Sequence, residues 1–149
     1  MIILLEQEAV KAYHDFAIEV YGGLPGICPD KSLESCLERV HNHLIYGELL
    51  DVYEAAALYA EAITRGHIFV DGNKRTAYYS MLYFFKINHI DEESFSPTYD
   101  QIVQHMVDLA DKKLDYRQFG DILRGWQQEV GSLARAFIGE ARASTNQSP

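Results

Sequence analysis

Two helically patterned segments, YEAAALYAEAITRG (53–66) and TAYYSMLYFFKIN (76–88), flank the nine residues HIFVDGNKR. That polar run between apolar helices limits the chain more than any other feature. An ordinary interhelical turn requires a Gly and an Asn. It has no use for His67, Asp71, Lys74 and Arg75 as well.

The rest of the chain is patterned in the same way. From Glu6 to Tyr21, Val10, Tyr13, Ala17 and Val20 recur at helical spacing, and Gly22-Gly23 ends the pattern. Ile2 to Leu5 form a short extended lead, and GGLPGICPD is a turn-rich loop. A second helix is expected over Ser32 to His43, with a break at Gly47. Asp51 is placed to cap a third helix through Arg65, and a fourth runs from about Lys74 to Asn88. Ser96 and Pro97 predict the start of a fifth, which carries Ile102, Met106, Leu109 and Ala110. Asp115 caps a sixth, YRQFGDILRGWQQEV, extending into SLARAFIGEARA before a frayed tail, STNQSP. No alternating strand pair is evident. The fold class is therefore all-α, a bundle of about six helices with the polar loop at the N-terminus of the fourth.

Composition narrows the function classes. With 149 residues, 48% of them hydrophobic, the chain has the makings of one globular core. A net charge of −9 argues against nucleic acid or an anionic membrane as the main partner. Arg65, Lys74 and Arg75 form a basic island suited to a small anion. The start, MIILLEQEAV, lacks the basic region of a signal peptide, and no stretch has the length of a membrane span. Cys28 and Cys36 stand alone as small semi-buried hydrophobes, and a cytoplasmic location is expected. His41 and His43 lie about 200° apart around a helix and cannot share a face. With His14 they are expected at the surface or its boundary.

The chemistry of the polar run points one way. A helix N-terminus presents unsatisfied N–H donors and partial positive charge, which attract phosphate. Lys74 and Arg75 conflict with that dipole unless an anion is bound there. Asp71 either holds a divalent cation that bridges phosphates or caps the fourth helix. His67 supplies an imidazole, a side chain suited to take a proton from an attacking hydroxyl. Ile68 and Phe69 are assigned to the core as anchors of the loop. Together these parts match phosphoryl or nucleotidyl transfer.

The run HIFVDGNKRT resembles the signature loop of the Fic/Doc superfamily. The Fic branch has a second Gly where this chain has Lys74, and a trailing Arg where it has Tyr78. Both departures resemble the Doc (death-on-curing) branch, as do the upstream segments YGGLPGI (21–27) and LES (33–35). Cys28-Pro29 replaces the Arg-Asp usual in that branch. The resemblance covers residues 1–126 as a toxin domain and leaves 127–149 as a C-terminal helical extension and tail.

The resemblance implies an all-α toxin of a toxin–antitoxin pair. It would be a kinase that transfers the γ-phosphate of ATP, with Mg²⁺, to a Ser/Thr hydroxyl of a translation factor, elongation factor Tu, and so block protein synthesis. A small Phd-like antitoxin would restrain it. By position, His67 is the base, Asp71 holds Mg²⁺, and Gly72, Asn73, Lys74 and Arg75 hold phosphates, with His67, Asp71 and Arg75 as the catalytic set. A lysine at 74 fills the room a glycine leaves and adds a charge, which favours a nucleotide bound with its γ-phosphate presented. The rival readings are AMP transfer, as in the Fic branch, and a non-catalytic partner-binding protein. Self-inhibited Fic enzymes carry a Ser/Thr-x-x-x-Glu helix. No Ser or Thr here has Glu four residues later, so inhibition is expected from a separate chain.

Overall fold

Helix boundaries in this chain are set largely by local chemistry. The computed structural model describes residues 1–91 and 99–127. Helix α1 (Gln7–Tyr21) stops at Gly22, whose N–H returns to the Ile18 carbonyl at 2.8 Å. In α2 (Leu33–Tyr46) the Ser32 side chain accepts the Ser35 N–H, and the Gly47 N–H closes the far end on His43. Asp51 caps α3 (Val52–Gly66) by accepting the Glu54 N–H at 2.9 Å. Helices α4 (Asn73–Ile87) and α5 (Tyr99–Ala110) follow, and α6 is helical over 116–127. Asp115 and Gln118 exchange side-chain and backbone bonds of 3.0 and 2.9 Å, a capping box that starts α6. The expected Ser96–Pro97 start of the fifth helix lies outside the described residues, as do residues 128–149 of the extension and tail.

The bundle is built around α3. Its central stretch, Ala55 to Ala60, is buried on every side, and the alanines let α2, α4 and α5 pack close around it. Tyr59 is the polar exception within that stretch. Its hydroxyl accepts the Leu5 N–H at 3.0 Å, which ties the N-terminal lead to the core, and burial pushes its pKa up to about 12. Asn88 holds the same lead by accepting the Ile3 N–H at 2.7 Å. Helix α6 lies back along α3: the Tyr116 N–H reaches Glu61, and the Arg124 guanidinium reaches Asp51.

Two features depart from the periodicity argument. The buried stripe of α1 is Val10, His14 and Ala17, while Val20 is 54% exposed. His14 is thus a core residue, because the stripe advances by four and then three from Val10. In addition, one antiparallel bridge, Ile27 to Phe69, joins the turn-rich loop to the polar run. The Cys28 N–H donates to the Ile68 carbonyl at 2.8 Å and the Val70 N–H to the Gly26 carbonyl at 3.1 Å. Both cysteines are free, Cys36 buried and Cys28 half-buried.

His41 and His43 sit at the boundary as expected and face different partners, the Tyr59 and Tyr116 rings. His41 and His105 are both held below the ordinary value of 6.5, chiefly by burial. In the unfolded chain they regain it. Below that value the unfolded state binds more protons, so stability falls as pH drops towards the depressed folded values. Melting temperature should therefore fall between about pH 7.5 and about pH 5.5. A His105→Leu variant should show a smaller fall, since His105 packs against Phe119 and Trp126 and Leu cannot charge there. The same pH dependence in variant and parent would refute this origin.

Candidate active site

The polar run forms one wall of a cleft, and each residue in it has a separable task. His67 follows the last turn of α3 in the left-handed region, at φ 48°, so the chain leaves the helix axis sharply and the imidazole stays exposed. Ile68 and Phe69 then turn into the core, each 2% exposed. The Asn73 side chain clamps Phe69: its Oδ1 accepts the Phe69 N–H at 3.1 Å, and its Nδ2 donates to the Phe69 carbonyl at 2.9 Å. With two anchors inside and one clamp, Asp71 and Gly72 emerge in a fixed place.

Gly72 starts α4 at φ 81°, a conformation open to glycine at little cost, and makes no side-chain cap bond. The first turn of α4 holds no acid and carries Lys74 and Arg75. Its N–H donors and both cations therefore face the same region without a carboxylate cap. The Arg75 guanidinium lies 3.7 Å over the Tyr21 ring, and the Tyr21 hydroxyl pairs with that of Tyr79 at 2.7 Å. This cation–π contact fixes Arg75 at the α1 side of the cleft.

The cleft measures about 620 Å³ and is lined by His67, Asp71, Gly72, Asn73, Lys74 and Arg75, with Tyr21 at the end of α1 and Gly22 and Gly23 of the facing loop. All six residues singled out in the sequence are thus brought together. Three refinements apply. Asp71 does not cap α4; its carboxylate accepts the Leu24 N–H at 2.7 Å, holding the facing loop against the cleft. Asn73 spends its side chain on Phe69, so only its backbone is available to a ligand. Arg65 is not part of the basic island. It bonds the Leu109 and Leu114 carbonyls at 2.8 and 2.9 Å and pairs with Glu61, because its place on the last turn of α3 directs it to the end of α5.

Sequence reasoning missed His14, which stacks on Phe69 behind the loop. Its spacing from Val10 and Ala17 was the available signal.

A magnesium ion fits the donor set in one particular way. Among the described residues no three His, Cys, Asp or Glu side chains converge. Asp71 would be a single carboxylate ligand, the mode in which Mg²⁺ is held with phosphate oxygens and water. Among the described residues, no helix is long and apolar enough to cross a membrane.

Residues 4–85 match the Fic/DOC family. The protein kinase doc of Escherichia phage P1 is 42% identical over 86 residues, covering 58% of this chain and 68% of that protein. The matched family span includes the facing loop, the polar run and nearly all of α4, and the chain belongs to the Fic/DOC family.

Proposed function

We propose that this chain is a protein kinase-type toxin that transfers the γ-phosphate of ATP to a Ser/Thr hydroxyl. The observation that carries the proposal is the start of α4, which has no side-chain cap, bears two cations, and shares one cleft with an exposed imidazole and a carboxylate. The name of the phage relative, a protein kinase, supports the same reading.

In this reading His67 accepts the proton of the target hydroxyl as that oxygen bonds to the γ-phosphorus, and the bond from that phosphorus to the β–γ bridging oxygen breaks to release ADP. The Gly72 and Asn73 N–H groups, Lys74 and Arg75 hold the phosphate oxygens, where charge is redistributed in the transition state. Tyr21 keeps Arg75 on station. Asp71 would hold Mg²⁺, which when bound supplies positive charge across the phosphates. Lys74 favours phosphate over AMP transfer, because its side chain occupies space that a glycine would leave to the nucleotide.

The proposed target is elongation factor Tu, and the proposed restraint is a separate Phd-like antitoxin. The experiment is incubation of the purified chain with elongation factor Tu, magnesium and ATP, followed by intact-mass measurement of the target. Addition of one phosphate is the expected result. Addition of AMP would replace this reading with the Fic-type reaction. A stable complex with no mass change would favour a non-catalytic binding protein.

A further inference from the structure

The Asp71–Gly72 peptide is gripped from behind by a residue with no part in the chemistry proposed above. His14 lies in the middle of α1, 1% exposed, with its ring flat on Phe69 at 3.8 Å and 9°. Its Nε2 is 2.8 Å from the Asp71 carbonyl oxygen. A carbonyl only accepts, so Nε2 carries the proton in this pair. Nδ1 is 3.8 Å from the Asp15 carboxylate, beyond hydrogen-bond range, and that carboxylate is mostly exposed.

Peptide geometry gives this bond a consequence in the cleft. Among the described residues no peptide bond is cis, and a trans peptide places its C=O and N–H on opposite edges of one plane. A carbonyl of Asp71 held on His14 therefore turns the Gly72 N–H away from the buried ring. Gly72 is the N-cap of α4 and lines the cleft, where such donors meet an anion. The glycine also sits tightly on this side: a Cβ there would lie 3.3 Å from Ile18 and 3.6 Å from the His14 ring.

We infer that His14 is a positioning residue for the phosphate cradle, its Nε2–H setting the Asp71–Gly72 peptide so that the Gly72 N–H faces the incoming phosphate. The inference rests on the phosphotransfer reading, since the cradle has a task only if a phosphate chain enters it. A ring that merely fills space behind Phe69 would serve equally well without its N–H, and that difference is measurable.

The first test uses the unmodified full chain. Nitrogen-15 correlation of the His14 ring at neutral pH should show Nε2–H, and a ring protonated on Nδ1 alone would overturn the proposal. The second is titration with magnesium–ATP in the absence of any target. His14→Phe keeps a ring against Phe69 but cannot donate. It should stay folded by circular dichroism, move the Gly72 and Asn73 amide resonances, and weaken magnesium–ATP binding about tenfold, the worth of one lost hydrogen bond. His14→Gln retains an amide donor and should recover most of that affinity. Equal magnesium–ATP affinity in the parent and a folded His14→Phe chain would sink the positioning role and leave the kinase reading intact. A parent chain that binds no magnesium–ATP would sink the kinase reading itself, and this inference with it. If His14→Phe does not fold, the ring tautomer of the parent decides.

Discussion

Replacing His67 by alanine is expected to lower target phosphorylation by about 10²–10⁴ while leaving the bundle folded. The imidazole is exposed on the cleft wall, and the two residues that anchor the loop, Ile68 and Phe69, come after it. Little packing is lost with the side chain. The backbone is the complication: at φ 48° an alanine is strained by roughly 1–2 kcal/mol, whereas asparagine visits that region readily. His67→Asn is therefore the cleaner variant, since it keeps the turn and cannot act as a base at neutral pH. Both variants should melt cooperatively, with His67→Asn the closer to the parent, and both should bind magnesium–ATP. Single-turnover phosphorylation rates would decide the matter. Full activity in His67→Asn would remove His67 from the mechanism and leave the cleft a nucleotide-binding site without its assigned base.

The parts of this molecule that could be read in the sequence are those whose causes are local. Ser32, Asp51 and Asp115 each bond an N–H within three residues, so the starts of α2, α3 and α6 follow from a few letters. Gly22 and Gly47 end helices by equally short bonds. The six cleft residues were legible because they are nearly contiguous, and contiguity at a helix start brings them to one wall. The contacts that aim them were not legible, because they join distant segments with no shared period. Leu24 reaches Asp71, Ile27 pairs with Phe69, and His14 bonds the Asp71 carbonyl across 57 positions of sequence. Arg65 shows the same limit in reverse. It stands two residues from His67 in sequence, yet its guanidinium is spent on α5 and the turn after it, because side-chain direction at a helix end depends on rotation about the axis. A basic island drawn from spacing alone was one residue too large.

Asp71→Asn should reduce phosphorylation at fixed magnesium by at least about 10², with little change in melting temperature. The magnitude follows from the donor set. Asp71 would be the single protein carboxylate on the ion, and loss of even an outer-shell partner typically costs 10–100-fold in metal affinity or activity. The small effect on stability follows from the bond to Leu24: an asparagine carbonyl oxygen can still accept that N–H, so the facing loop stays in place. Asp71→Ala removes both properties at once. It leaves the Leu24 N–H without its acceptor, which should cost about 0.5–1.5 kcal/mol of stability in addition to the activity. The pair of variants therefore separates two roles that one substitution would confuse. If Asp71 served only to tie the facing loop, Asn would keep phosphorylation and Ala alone would lose it. If it holds the ion, Asn and Ala lose activity alike, only Ala loses stability, and raising magnesium restores part of the rate in Asp71→Asn, because the phosphates and water still supply the remaining ligands.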